Sequence, residues 1–172
     1  GEEISIKDLR TVKLRFKKLH QVRIHYIYDF LQPRQQIFLD LLPLIFHVNS
    51  PLLPGYISFG TPSGLYQYRP GPRTLKAAGK FIKNFAFDGG RAAGKEAIDG
   101  LYLMGSVGSI AYSKTSDMDI WLCHHPDLLP GEIKELSAKA HAVEDWAATL
   151  GLEVHFFLMN SKQFRLGLDA PI

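Results

Sequence analysis

The first quarter of the chain repeats apolar side chains at spacings of three and four residues, the period of an amphipathic helix. This period predicts a helix from about Asp8, which suits an N-cap, to about Asp29. Pro33 suits the first turn of a second helix, whose apolar face runs from Ile37 to Ile45. Residues 1–46 are therefore predicted to form an N-terminal helical segment. Its first apolar stripe comprises Leu9, Val12, Phe16, Leu19, Val22 and Tyr26.

Proline and glycine interrupt this pattern between residues 47 and 72, which predicts irregular structure with turns. Apolar and aromatic residues such as Leu53 and Tyr66 recur there, so we expect the segment to pack against the domain. Another helix is predicted over 74–87, and a flexible loop is predicted from Asp88 to Gly94.

The last part of the chain alternates strand and helix patterns. Strands are predicted at 98–104, 117–123 and 152–158, with a short helix from about residue 106 and a long helix over 131–150. Gly151 is placed to end the long helix in a left-handed C-cap. The alternation predicts an α+β or α/β core over residues 47–172, with a small mixed sheet and flanking helices.

Length and composition bound the class of protein. A chain of 172 residues fits one compact domain with a real core. Apolar residues make up 46% and charged residues 22%, the balance of a soluble globular protein. No apolar run approaches the roughly 18 residues that span a bilayer, and the N-terminus lacks a signal-peptide segment. Cys123 is the single cysteine, so no internal disulfide is possible and we expect a cytoplasmic protein.

Positive charge is concentrated near the N-terminus. Seven basic residues and one acidic residue, Asp8, lie between Lys7 and Arg23. A solvated helix face is the simpler interpretation; a surface for phosphates, an acidic partner or a membrane is the alternative, and nothing in the segment separates those three. The net charge of +3 is too small to imply nucleic-acid binding.

A Gly-Ser turn follows the first predicted strand. Gly105 lets the backbone approach a ligand closely, and Ser106 can cap the next helix, whose N-terminal amides form a phosphate site. Gly108 and Ser109 keep this turn small and polar. Such a turn is a weak signal when it stands alone.

The second predicted strand carries a more specific pattern. Alternate residues of a strand share a face, so Asp117, Asp119 and Trp121 point one way while the apolar residues between them face the core. Two neighbouring carboxylates repel unless a cation joins them, and Mg²⁺ binds through one or two carboxylates plus substrate phosphates. A solvated strand face with two acids is the alternative.

Glu153 offers a third carboxylate at the start of the next predicted strand. If the two strands are neighbours, it can face the same site. Three carboxylates can hold two divalent ions about 3.5–4 Å apart, which clamps the attacking and leaving oxygens of a displacement. The alternative for Glu153 alone is an exposed residue at the start of a strand.

Several histidines carry weaker signals. Cys123, His124 and His125 suggest zinc, but three adjacent residues cannot all converge on one ion. His155 alternates with Glu153 and can face the same site, although a packed or solvent-facing histidine is the more common case. His47 and Tyr56 flank the first part of the Pro-Gly segment. They either anchor this loop or form part of a nucleotide pocket.

The order of these elements resembles the polymerase-β-like nucleotidyltransferase superfamily, and a wider set of segments resembles the N-terminal catalytic domain of class I bacterial adenylate cyclases. These segments are His47–Tyr56, Met104–Ser109, Ser116–His124, Trp146–Leu158 and Phe164–Arg165, so the resemblance spans about residues 30 to 166. Enterobacterial-type members tend to have serine where this chain has Gly108. The family's domain normally continues beyond the position of Ile172, so we expect a fragment of a longer protein or a short relative.

The resemblance implies a nucleotidyltransferase fold and a reaction in which the 3′-hydroxyl of ATP attacks its own α-phosphate to form 3′,5′-cyclic AMP and pyrophosphate. It also implies a regulatory C-terminal region as partner. By this resemblance, Gly105, Ser106 and Ser109 would bind the triphosphate, and Ser116 and Trp121 would contact the nucleotide. Asp117, Asp119 and Glu153 would be the catalytic residues and would bind two divalent ions, either Mg²⁺ or Mn²⁺.

Two other functions fit parts of the pattern. The Gly-Ser and Asp-x-Asp elements suit equally well a transferase that moves AMP onto another acceptor. A catalytically silent module that binds a partner through the basic helix is the third hypothesis, and the retention of all three acids argues against it.

Overall fold

The structure, a computed structural model, describes residues 24–87, 96–104 and 116–164. Helix α1 is described over 24–30, so its predicted start near Asp8 lies outside the described residues while its predicted end is confirmed within one residue. The other helices are α2 (Pro33–His47), α3 (Pro72–Ala78) and α4 (Pro130–Thr149). The strands are β1 (Ile98–Met104), β2 (Ser116–His124) and β3 (Leu152–Asn160), and a helical turn follows at 161–164. All three predicted strands are confirmed within two residues.

The strands form one mixed sheet in the order β1-β2-β3. Strand β2 lies in the centre, antiparallel to β1 and parallel to β3. The parallel pair is joined by α4, as expected for a crossover connection. The prediction of a small mixed sheet with flanking helices is therefore confirmed for the described residues.

One face of the sheet is buried beneath helices. Met118, Ile120 and Leu122 of β2 are each at most 1% exposed. Helix α2 contacts this layer through Phe46, whose ring lies 5.5 Å from that of Phe156 on β3. Each fully buried aliphatic or aromatic side chain of this kind stabilises the fold by about 1.5–3 kcal/mol. This covered face is the core, and its alternation along β2 leaves the intervening side chains on the opposite face.

The Pro-Gly segment packs against the domain, as predicted. Asn49 Nδ2 donates to the backbone oxygens of Ser58 and Phe59 at 2.8 and 3.2 Å, which closes a compact turn. Gly55 has a φ of +86°, and a Cβ at this position would lie 2.5 Å from Cγ2 of Val143 on α4. Glycine is therefore required here both for the backbone conformation and for close contact with α4.

The ends of α4 follow local chemistry. The Glu132 side chain accepts a hydrogen bond from the backbone N–H of Leu129 at 3.0 Å, and Pro130 occupies the first turn. Gly151 has a φ of +79° and follows the helix, which confirms the predicted left-handed C-cap residue.

The helix predicted over 74–87 is wrong in extent. Helix α3 begins at Pro72 and ends at Ala78, before Gly79, a residue with weak helix propensity. The next backbone N–H groups, of Lys80 and Phe81, donate three residues back, which is the spacing of turns. Asn84 then adopts a φ of +59°, a left-handed conformation that a right-handed helix excludes. By contrast α2 continues past Pro43 to His47.

Within the described parts of the chain, no helix combines the length and apolar character that a membrane crossing requires.

Candidate active site

The face of β2 opposite the core carries the two predicted aspartates. Asp117 is exposed, Asp119 is half-buried, and Trp121 follows on the same side. Asp117 and Asp119 are the second and fourth residues of β2, so the two carboxylates lie at its N-terminal end. Strand periodicity predicted this arrangement, and the structure places all three side chains on the face away from the core.

Strand β3 brings Glu153 beside Asp117. The two residues are register partners in the parallel β2–β3 pair, and the next alternate pair is Asp119 with His155. Four polar side chains therefore lie together on one face of the sheet, at two alternate positions on each of two adjacent strands. The condition set for Glu153 from the sequence, that its strand lie next to the Asp117 strand, is met.

Three of these side chains converge. The Nε2 atom of His155 donates to Glu153 Oε1 at 3.1 Å and lies 3.8 Å from Asp117 Oδ1. One ligand atom from each of the three residues lies within 4.8 Å of the others. We call Asp117, Glu153 and His155 the triad; Asp119 borders it as the register partner of His155.

The triad is electrostatically coupled. The hydrogen bond to Glu153 and the negative charge of Asp117, with a further contribution from Asp119, raise the pKa of His155 above its ordinary value. Sequence alone favoured a packed or solvent-facing role for His155, and its side chain is indeed about half exposed. In the sequence, only the alternation of His155 with Glu153 indicated that His155 lies on the same face as the carboxylates.

The opposite half of this face is covered by aromatic rings. Phe164, from the turn after β3, stacks on Tyr102 of β1 with ring centroids 4.6 Å apart. It also meets Trp121 edge-on at 5.9 Å. Phe157, the register partner of Trp121 on β3, remains 48% exposed beside the triad. The face is thus divided into an exposed polar end and an aromatic end that Phe164 covers in part.

The other predicted site residues are described only in part or not at all. Gly105, Ser106 and Ser109, with the short helix predicted from residue 106, lie outside the described residues. Ser116 is the first residue of β2, next to Asp117, and its side chain also lies outside the description.

The weaker sequence signals take structural roles. Cys123 and His124 are both buried and lie on opposite faces of β2, which separates them as ligands. Burial raises the pKa of the Cys123 thiol to about 12, so it is inert as a nucleophile. The buried His47 accepts a hydrogen bond at Nδ1 from the backbone N–H of Leu65 at 3.0 Å, which makes it a loop anchor.

A groove of about 990 Å³ lies at the other end of the sheet. It is lined mainly by residues after the ends of β2 and β3 and by residues before or at the start of β1, and Asp117, Asp119, Trp121 and Glu153 are not among them. Its volume makes this groove a candidate pocket, but the convergent ionisable side chains are roughly 25 Å away along β2, given the rise of a strand. Convergent chemistry is the better guide to the reacting centre.

The donor set at the polar end fits a divalent cation. Carboxylates from adjacent strands project to one solvent-accessible face, and rigid backbone holds their spacing. Within the described residues, the ion-pair partner of Asp117 and Glu153 is His155 alone. Their mutual repulsion is relieved by a cation, and oxygen donors on a fixed framework suit Mg²⁺ or Mn²⁺.

Comparison with known proteins points to one family. The sequence profile described as “Adenylate cyclase NT domain” matches residues 8–171. The chain is similar to proteins named adenylate cyclase from Escherichia coli strain K12 (33% identical over 162 residues), Salmonella typhimurium strain LT2 (34% over 162) and Yersinia pestis (34% over 158). These alignments cover 91% of this chain and 19% of each relative, so the chain spans about a fifth of their length. No solved structure matches it.

Proposed function

Because this chain belongs to the family of adenylate cyclase N-terminal domains, we propose that it carries the site that converts ATP to 3′,5′-cyclic AMP and pyrophosphate. The observation that carries the proposal is the pairing of Asp117 with Glu153, with Asp119 on the same face, at the polar end of the sheet. The names of the relatives supply the substrate, and the geometry supplies the carboxylates that such chemistry needs.

The proposed fold is that of the polymerase-β-like nucleotidyltransferases. A mixed three-stranded sheet supports it, because the central strand begins with the two aspartates and its parallel neighbour begins with the third acid. The Gly-Ser turn would then lie between β1 and β2, where the connection passes from Met104 to Ser116.

Each candidate residue has a distinct role in the proposal. Asp117, Asp119 and Glu153 would bind two divalent ions, Mg²⁺ or Mn²⁺. These ions would neutralise charge on the phosphates and lower the pKa of the 3′-hydroxyl. Trp121 and Ser116 would contact the nucleotide. The triphosphate would lie on the turn formed by Gly105, Ser106 and Ser109, whose amides and small side chains suit phosphate oxygens.

The reaction is an in-line displacement at phosphorus. The 3′-oxygen forms a bond to the α-phosphorus, and the bond from that phosphorus to the bridging oxygen of pyrophosphate breaks. A carboxylate of the cluster, Glu153 or a neighbouring aspartate, accepts the hydroxyl proton. The half-buried position of Asp119 and the rigid strand pairing hold these groups in place as charge develops on the phosphate.

The proposal also concerns what lies around the site. Since the chain spans about a fifth of its relatives, a regulatory C-terminal region is the proposed partner. A division into a helical segment 1–46 and a catalytic core 47–172 stays a prediction, as does the cytoplasmic location. Among the described residues, side chains from α2 and the sheet share one hydrophobic core.

Cyclic AMP formation from ATP with Mg²⁺ or Mn²⁺ tests the proposal, with the Asp117→Asn variant as the decisive comparison. We expect this variant to lose activity about 100-fold or more, because charge stabilisation in the transition state is lost. Asp127→Asn is the matched control, since Asp127 is an exposed aspartate at the far end of the sheet. It should leave turnover unchanged.

Two results would contradict the proposal. Transfer of labelled AMP to a protein, RNA or small-molecule acceptor, without cyclic product, would replace cyclisation by nucleotidyl transfer. Absence of metal-dependent ATP binding in calorimetry would favour a module that binds a partner and does no chemistry.

A further inference from the structure

We propose that His155 is itself a metal ligand, so that the triad of Asp117, Glu153 and His155 selects a transition metal of the Zn²⁺ or Co²⁺ class over Mg²⁺. The inference extends the proposed function. It rests on that proposal in one respect, the assignment of Asp117 and Glu153 as metal ligands. It concerns which ion the polar end of the sheet prefers. Occupancy of the triad by such an ion would also take two carboxylates away from a Mg²⁺-bound nucleotide.

The atomic spacing of the triad suits a single ion. Two donors bound at about 2.1 Å in tetrahedral geometry lie roughly 3.4 Å apart. The separations from His155 Nε2 are 3.1 Å to Glu153 Oε1 and 3.8 Å to Asp117 Oδ1, on either side of that value. All three ligand atoms lie within 4.8 Å of one another, and rotation of the exposed side chains can bring them closer around one ion.

The framework behind these atoms is already fixed. Glu153 and His155 are alternate residues of β3 and so share a face, and Asp117 is the register partner of Glu153 across the parallel pair. The three side chains remain 49–60% exposed. An ion can reach them from solvent, and a fourth coordination position remains open on that side.

The kinds of donor atom determine the preference. Mg²⁺ selects oxygen ligands in near-octahedral geometry, whereas imidazole nitrogen suits zinc, cobalt, nickel and copper. Two carboxylates and one imidazole with an open position match the three-ligand pattern of solvent-accessible zinc sites. The hydrogen bond from His155 to Glu153 shows that the ring nitrogen already points at the carboxylates.

Another histidine of the chain provides a matched comparison. His141 lies 2.7 Å from Glu144 on α4, a closer histidine–carboxylate pair than that of His155. It has one carboxylate partner, and the residues that converge as possible ligands in the described chain do not include it. The contrast isolates the second carboxylate as the feature that makes the triad a site.

Calorimetric titration of the purified chain with Zn²⁺ and with Mg²⁺, in the absence of nucleotide, tests the inference. We expect Zn²⁺ to bind more tightly than Mg²⁺. His155→Ala should weaken Zn²⁺ binding by about tenfold or more and leave Mg²⁺ binding unchanged. Visible absorption of added Co²⁺, which intensifies at low coordination number, should appear with the unmodified chain and fade in His155→Ala.

The controls separate a ligand from a bystander. His141→Ala should bind Zn²⁺ as the unmodified chain does, and Asp117→Asn should lose affinity for both ions. Equal Zn²⁺ affinity with and without His155, or an equal loss in His141→Ala, would overturn the proposal. A circular-dichroism melt of each variant establishes that the exposed substitution leaves the fold intact. Since no ATP is present, failure of the cyclase assay would not affect this result.

Discussion

The two faces of the β2–β3 pair contrast in almost every physical respect. On the covered face, Met118 and Val154 are at most 4% exposed beneath the helical layer. On the opposite face, Asp117 and Glu153 sit side by side in solvent with side chains about half exposed. The covered face therefore stabilises the fold, whereas the open face concentrates charge in a way that stabilises nothing by itself.

Like charges at paired positions of a sheet are destabilising. Asp117 and Glu153 are such a pair, and His155 is the basic group that relieves them within the described residues. This arrangement supports the proposal that the open face is a site for binding or chemistry. The comparison thus predicts that substitutions on the two faces will affect different measurements.

The largest effect is expected on the covered face. Ile120→Asp would place a carboxylate at a position that is 1% exposed. Burying a charge in this apolar layer is expected to lower the free energy of unfolding by about 4 kcal/mol or more, enough to unfold a marginal domain. Chemical denaturation followed by circular dichroism measures this loss.

Its control is the adjacent residue. Asp119→Asn changes the open face, so the unfolding free energy should shift by about 0.5 kcal/mol or less, while the proposed formation of cyclic AMP should fall. If Ile120→Asp and Asp119→Asn were equally destabilising, the division between a stabilising face and a chemical face would be wrong.

Strand alternation explains why these two faces were predictable from sequence. A period of two along β2 assigned Asp117 and Asp119 to one side and Ile120 to the other without any knowledge of tertiary structure. Pairing between strands was not predictable in this way. The approach of His155 to two carboxylates depends on the parallel register of β2 and β3, which a single strand does not specify.

The error in the extent of α3 has a local cause. Helix α3 stops at Ala78 although apolar residues continue beyond it, because the chain turns at Gly79 and Asn84. Lys139 is buried on α4, although a lysine on a helix usually extends its ammonium to solvent. Its aliphatic stem packs in the core, and its ammonium lies 5.7 Å from the centre of the Phe46 ring.

Lys139 offers a second test, as a charge on the covered side. It is 2% exposed, and burial lowers its pKa from 10.5 to about 8. The folded state therefore binds this proton less tightly than the unfolded state. Below about pH 8 the buried charge is a constant penalty, and that penalty shrinks as the pH rises toward 10.5.

Lys139→Met should accordingly raise the unfolding free energy at pH 7, by about 2 kcal/mol after loss of the contact with the Phe46 ring. The advantage over the unmodified chain should fall between pH 8 and 10.5. Lys134→Met, at an exposed position of the same helix, controls for the change of residue type. A gain that does not vary with pH would show that packing, rather than the buried charge, explains it.

The smallest effect is a spectroscopic one, and it uses the two tryptophans of the chain, one associated with each face. Trp146 lies on α4 with its ring centroid 5.7 Å from that of Phe38, whereas Trp121 lies on the open face beside Phe164. Replacing either by phenylalanine should change stability by about 1 kcal/mol or less, because an aromatic ring is retained.

In Trp146→Phe, the emission of the remaining Trp121 should change when ATP and Mn²⁺ are added. In Trp121→Phe, the emission of Trp146 should stay constant, since its packing lies on the covered side. A nucleotide-dependent change confined to Trp146 would place the ligand on the wrong side of the sheet and would remove Trp121 from the nucleotide site.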